Sequence, residues 1–416
     1  MKRMQIAWRC VVALLLGAPS TAFAAPGYLD PAFGQSGFVV FPHETYAATD
    51  IKIQPDGRIL ISADMAGLAG GIGGFSVVRL LPNGNTDTAF GNAGLAVARF
   101  GSGLNTAESL AIQPDGKIVA AGLSNNAAQG NSEAMAIARF RPSGALDLSF
   151  GSSGTVQFVA PRSTSSLATV VIALPSRKLL VGGQAQSGSG PHGIIVRLNP
   201  NGAVDTTFGS GGVATFASPF GVTAIGVQSD GKIVALTGHN ATRLKPDGLV
   251  DSRQPRGTIV DEAHFGAAML TPDEKILEAL PVHDSQSQND IDTQSFRLFP
   301  NGTNDPSFAT PIFDFINRAG DGFENGPFAI VLQGDGSPII AGQGQDEATI
   351  TEGALARLTP GGHLDLGFGN GGTVASALDG DDQFTTIALQ PDGKIVAAGI
   401  SLTSTGGLVI ARYLSQ

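Results

Sequence analysis

The chain is 416 residues long and carries 57 glycines and 24 prolines but only 14% charged residues, a balance that suits many tight turns and excludes long exposed helices and disorder. Its net charge of −10 argues against a nucleic-acid partner, because affinity for phosphates comes from Lys and Arg. Length alone suggests two or three domains, yet closed all-β folds exceed that size as single units.

Residues 1–24 read as a signal peptide. Lys2 and Arg3 form a short basic region, residues 11–17 an apolar stretch, and Ala22-Phe23-Ala24 supplies the small residues of a cleavage site. No 18-residue apolar run is present, so no membrane span is expected. Cleavage after Ala24 leaves 22 basic against 35 acidic residues and removes Cys10, the only cysteine, so the mature chain has no disulfide and no thiol chemistry. Residues 25–416 are expected to form one domain, secreted or periplasmic.

Three motifs then recur in fixed order. The first is a strand ending in Arg, at Arg79, Arg139, Arg197, Arg243, Arg297, Arg357 and Arg412. The second follows a Pro-x-Gly turn and reads LDxSFGxxG in its fullest form. Its Asp falls at Asp30, Asp87, Asp147, Asp205, Asp251, Asp305 and Asp365, and a Phe stands three residues later at Phe33, Phe90, Phe150, Phe208, Phe308 and Phe368, with Gln254 breaking the series. The third is QPDGKIVAAG, clearest at residues 113–122 and 390–399 and worn down at 174–182, 271–277 and 333–341. Pro-Asp-Gly between two β-rich runs marks a hairpin, because Pro fixes φ, Asp tolerates turn geometry and Gly takes the left-handed position.

Between these landmarks the periodicity is that of strands. One unit of about 56 residues reads as strands at 154–158, 170–174, 178–182 and 193–198, and four such strands make one small sheet. A single sheet cannot bury both faces, so neighbours must stack on it, and radial stacking buries every face. The spacing predicts an all-β fold: a seven-bladed β-propeller of four-stranded antiparallel blades. The mature chain opens with LDPAFG, the segment that elsewhere follows the Arg strand, and it ends just past the seventh such strand. The first segment is therefore expected to complete the last blade and close the ring.

The LDxSFGxxG, QPDGKIVAAG and IARF signatures resemble those of the delta-60 repeat family, over nearly the whole mature chain. That resemblance implies an exported bacterial protein with propeller-like repeats and implies no catalytic residues. The fifth and sixth units depart from the pattern, since Asp251-Ser252-Arg253-Gln254-Pro255 lacks the Phe-Gly pair and Phe308-Ala309 lacks the Gly. Those blades are expected to be distorted.

The motif Arg precedes the motif Asp by 8 residues in six copies, with the turn between them, so the two side chains are expected to face each other as a structural clasp. A ligand-binding ring of Arg is the weaker alternative, because a functional residue seldom recurs in every unit. The Phe is expected to plug the space between blades. Ser229-Asp230-Gly231-Lys232 matches S-x-x-K but occupies the PDGK turn. His43, His192, His239, His264, His283 and His363 lack metal-ligand spacing, and the glycine-rich 70–74 lacks the Lys-Ser/Thr of a phosphate loop.

If strands alternate, the regular turns lie on one face and the irregular loops on the other. The irregular face is the candidate functional surface, because variable loops on a rigid scaffold usually carry function. The reading is a non-catalytic monomeric binding or scaffold propeller for a protein, glycan or cell-surface partner; the alternative is an exported hydrolase or lyase with its site at the central channel. The candidate patch is Arg318, Asp321 and Glu324 in one loop and Asp379, Asp381 and Asp382 in the next. Asp321, Glu324, Asp381 and Asp382 are also candidate Ca²⁺ ligands, since that hard cation takes oxygen donors.

Overall fold

Runs of Val, Ile, Leu and Ala between Gly- and Pro-containing turns fold into 28 short strands, as suits side chains that pack well on a pleated surface. The computed structural model describes residues 25–42, 47–64, 74–101, 103, 105–126, 132–216, 218, 220–237, 240–255, 266–283, 291–316, 326–345, 350–403 and 406–416. The leader-like residues 1–24 lie outside them. Among the described residues no helix is long and apolar enough to cross a membrane.

The strands form seven four-stranded antiparallel sheets, the blades of a propeller. In blade 3 they run outward from the axis as Ser163–Ala173, Leu179–Ser187, Gly190–Leu198 and Val213–Phe216. Innermost strands of neighbouring blades touch one another around the whole ring, from Ala47–Ile53 in blade 1 to Asp382–Leu389 in blade 7 and back.

The blade boundary falls one strand away from the sequence unit. The repeat spacing groups residues 154–158 with the three strands after them, but Thr155–Phe158 pairs with the preceding Ser132–Phe140, Ala138 opposite Thr155 and Met135 opposite Phe158. The cause is local. Asp147 N donates to Arg139 O at 2.8 Å and Arg139 N to Gly154 O at 3.0 Å, so the chain doubles straight back along the strand it has just left.

That return also closes the ring. Phe38–Pro42 pairs with Gly407–Tyr413 as the outer strand of blade 7, with Phe38 opposite Ala411 and Val40 opposite Val409. Asp30 N donates to Arg412 O and Gly27 N to Leu414 O, both at 2.8 Å, and Gly369 N of blade 6 donates to Pro26 O at 2.9 Å.

Seven hydrophobic clusters each fill the space between two neighbouring blades. The motif phenylalanines Phe33, Phe90, Phe150, Phe208 and Phe368 are fully buried in them and Phe308 nearly so, each stabilising by roughly 1.5–3 kcal/mol. Between blades 4 and 5 the buried cluster reduces to Val234, Leu236, Ala241, Ile276 and Leu298. This is the junction where Gln254 replaces the Phe. There the chain enters the outer strand Val250–Pro255 directly at the motif Asp, with no Phe-Gly turn. Blade 5 is distorted too, its outer strand being only Ile312–Phe313.

Candidate functional site

On the regular face the repeated Arg and Asp side chains bond one another. Arg Nε stands 2.7–2.9 Å from Asp Oδ2 in the pairs Arg79–Asp87, Arg139–Asp147, Arg197–Asp205, Arg243–Asp251, Arg297–Asp305 and Arg357–Asp365. Where the motif Phe is present, the guanidinium also lies over its ring, from 4.3 Å for Arg79 over Phe90 to 4.8 Å for Arg412 over Phe33, a contact that strengthens when water is excluded.

Most clasps then reach the next blade. Arg79 Nη1 donates to Pro142 O at 2.7 Å, Arg197 Nη1 to Pro246 O at 2.7 Å and Arg297 Nη1 to Pro360 O at 2.9 Å. Arg139 reaches Pro200 O in the same way, and Arg412 reaches Pro82 O of blade 1. The N–H after the Phe makes a parallel bond, as from Gly91 to Ser143 O at 2.8 Å and from Ala309 to Gly361 O at 2.7 Å. The turn glycine has to be a glycine: at Gly144, with φ +86°, a Cβ would lie 2.5 Å from Gly91 N and 3.0 Å from the Phe90 ring.

Two further residues of this network gave no signal beyond their constant place. Gln113, just before the Pro-Asp-Gly turn, donates to Arg177 O of the next blade at 2.9 Å, and Gln390 donates to Gly57 O at 3.1 Å. Glu274 stands where other turns have glycine, at φ +64°. It accepts the Ser229 N–H at 2.7 Å and so ties blade 5 to blade 4.

The clasps set the electrostatics of this face. Burial pushes the Asp147 carboxyl up, but hydrogen bonds from Ser149 and the charge of Arg139 outweigh it and hold the carboxyl down at about 2. Ser307 holds the Asp305 carboxyl well below its ordinary range.

The innermost strands carry mostly aliphatic and hydroxyl residues, with Lys52 paired to Asp50 at 2.6 Å in blade 1. The innermost strands bulge at Thr49, Thr169 and Thr385, and each of these hydroxyls donates to a backbone carbonyl of the following blade. Thr49 bonds Ala107 O at 2.5 Å, Thr385 bonds Ala48 O at 2.6 Å, and Thr169 bonds Val222 O. A cavity of about 580 Å³ opens on blades 4 and 5, lined by Val170, Ile225, Val227, Met269 and Leu270 with Glu274 at its rim.

On the irregular face, Arg318, Asp321 and Glu324 lie outside the described residues. Asp379 and Asp381 belong to the short link that enters blade 7, Asp382 begins its innermost strand, and the three divide their roles. Asp382 is fully buried and its Oδ2 accepts the N–H groups of Leu378, at 2.5 Å, and Asp379, at 2.9 Å. Burial pushes its carboxyl up to about 6, against the pull of those two N–H groups and with the Asp379 charge adding to the rise. Asp381 Oδ1 accepts Thr351 N of blade 6 at 3.0 Å, while its carbonyl accepts Leu402 N of blade 7 at 2.6 Å. Asp379 is exposed and takes a bond from Ser401 Oγ at 3.3 Å. Flanking this link, Ile350 is 39% and Leu402 52% exposed. Among the described residues no three His, Cys, Asp or Glu side chains are grouped so as to hold a metal ion.

Seven closed blades with repeated interlocking motifs define a β-propeller repeat protein. Residues 54–90, 113–150, 174–208, 333–368 and 390–416 match a family described as a domain of unknown function (DUF5122) β-propeller. No curated protein matches the sequence. Among solved structures, a catalytically inactive virginiamycin B lyase from Staphylococcus aureus with quinupristin is similar at TM-score 0.51 and 12% identity, over 91% of this chain and 98% of that one. The Pan2 WD40 domain of Neurospora crassa is similar at TM-score 0.48 and 11% identity, over 93% and 97%. An α-L-arabinanase from Penicillium chrysogenum complexed with arabinobiose is similar at TM-score 0.47 and 11% identity, over 90% and 97%. At such identities the likeness is one of fold alone.

Proposed function

We propose that the chain is an exported, non-catalytic binding propeller that engages a protein partner through its irregular face at blades 6 and 7. The observation that carries this reading is the double anchorage of Asp381, whose carboxylate is tied to blade 6 and whose carbonyl is tied to blade 7. The link is thereby held rigid between two exposed apolar side chains, Ile350 and Leu402. A preorganised surface with apolar anchors and a charged rim suits protein recognition, because little conformational freedom is lost on binding. The carboxylates of Asp379 and Asp381 favour a partner with basic residues around an apolar centre. Export rests on the leader-like residues 1–24 and on the resemblance to the delta-60 repeats.

Asp382 has the raised carboxyl that a general acid needs, but it is fully buried and faces the link, so it cannot meet a substrate. The test is capture of envelope proteins on the immobilised protein. The double variant Ile350→Lys, Leu402→Lys is expected to lose the captured protein, whereas Leu148→Lys, Leu366→Lys on the regular face, both also exposed, retains it. Equal capture by both variants contradicts the proposal.

A further inference from the structure

Blade 3 carries a feature that the repeat does not require. Its innermost strand runs 11 residues and its two central strands 9 each, ending in a two-residue turn between Ser187 and Gly190. Beside that hairpin lies a groove of about 1230 Å³, whose lining includes Arg162, Ser163, Ser187, Ser189, His192 and Ser218.

Arg162 is the residue that stands out. Residues 160–163 form a turn closed by Ser163 N to Ala160 O at 3.0 Å and stapled by Ala160 N to the buried Ser166 Oγ at 3.0 Å. Pro161 takes the second place and Arg162 the third, at φ +67°. That third place, with a positive φ after proline, is where glycine or asparagine is favoured. Among the described residues, the other non-glycine residues with positive φ are Ser36, Ala93, Ser153, Arg177 and Glu274, all at turn positions of the repeated motifs. Arg162 alone lies outside them, and an unfavourable conformation kept at one exposed Arg points to a use for that side chain. Among the described residues it has no carboxylate partner, in contrast to the motif arginines.

We infer that this groove binds an anionic oligosaccharide, with a sugar carboxylate on the Arg162 guanidinium and ring hydroxyls on the serines and on His192. A guanidinium matches a carboxylate with two parallel hydrogen bonds. Serine hydroxyls, which donate and accept, match sugar hydroxyls. Ser187 and Ser189 Oγ lie 2.9 Å apart on the hairpin turn. A lone small anion would leave most of the groove's 1230 Å³ empty. The site is separate from the protein-binding surface proposed at blades 6 and 7, and either can fail without the other.

Isothermal titration with tri-galacturonate and tri-mannuronate tests the inference, with maltotriose as the neutral control and acetate as the simple anion. At least one uronate trisaccharide is expected to bind, with maltotriose and acetate weaker by about tenfold or more. Arg162→Gly should weaken uronate binding by about tenfold or more while leaving the melting temperature equal or higher, since glycine relieves the turn. His192→Ala should weaken it with folding unchanged. Failure of both uronates to bind overturns the site, as does maltotriose or acetate binding equally well, or Arg162→Gly binding like the parent.

Discussion

Arg412 Nη2 lies 2.8 Å from Asp30 Oδ2, so residues from the two ends of the described chain pair the motif Arg with the motif Asp, as other blades do through Nε with residues 8 apart. Both side chains are nearly fully buried, and Lys394 adds a second cation to Asp30 at 3.1 Å. Removing one partner of a buried pair leaves the other charge uncompensated, at a cost of roughly 3–5 kcal/mol. Asp30→Ala is expected to lose that much in denaturant unfolding, and removal of residues 29–37 to lose more, because the outer strand of blade 7 goes unanchored. A deletion that unfolds like the parent contradicts closure through this segment.

The clasp inside one blade is tested by a double-mutant cycle on Arg139 and Asp147. Each single alanine strands a buried charge, and the pair together does not, so the double variant should cost less than the sum by about 1–3 kcal/mol. Additive losses would show that the two side chains act separately.

The junction of blades 4 and 5 lacks the Phe plug, and Arg243 keeps its pair with Asp251 at 2.8 Å without a phenylalanine beneath it. Local opening follows local stability. Hydrogen exchange should therefore be fastest at this junction among the seven, measured on the amides of Ile233–Thr237 and Ile276–His283. Slower exchange there than between blades 2 and 3 contradicts this reading.

Two carboxylates predict opposite responses to acid. Asp147 is held at about 2, below its ordinary 3.8. Its stabilising contribution is complete above pH 4 and is lost as pH falls through 2. Asp382 is raised from 3.8 to about 6, so its charge destabilises the fold above pH 6 and that penalty is relieved as pH falls from 6 toward 4. Asp382→Asn should flatten the dependence of melting temperature between pH 7 and pH 5 without changing acid unfolding near pH 2. An unchanged profile in the upper range contradicts the burial of this charge.

Much of the fold was legible in the sequence because a propeller repeats its local rules. The Arg–Asp spacing, the Phe, the Pro-x-Gly turn and the displaced LDPAFG segment each report a contact within one turn or its permuted copy. Beyond the Phe plug and the closing segment, what escaped was the bonding set by the neighbouring blade. The periodicity of Thr155–Phe158 marks a strand but does not say which strand it pairs with, and nothing near Arg139 signals the Pro200 carbonyl in the next unit. The threonine bulges and Gln113 were hidden for the same reason. At the candidate site, the acidic link into blade 7 was visible as composition. Asp382 was not visible as a buried residue, because neighbouring aspartates look alike until the backbone turns one of them inward.

The proposal that repeated polar residues build the ring while the irregular face binds is tested most directly by photo-crosslinking in intact cells of the source organism. A photoreactive benzoyl-phenylalanine replaces Leu402 in one variant and Leu148 in another; the two leucines are 52% and 64% exposed and lie on opposite faces. Covalent adducts to a discrete partner protein are expected from position 402 and not from position 148. Adducts from position 148 alone, or none from position 402, would contradict it.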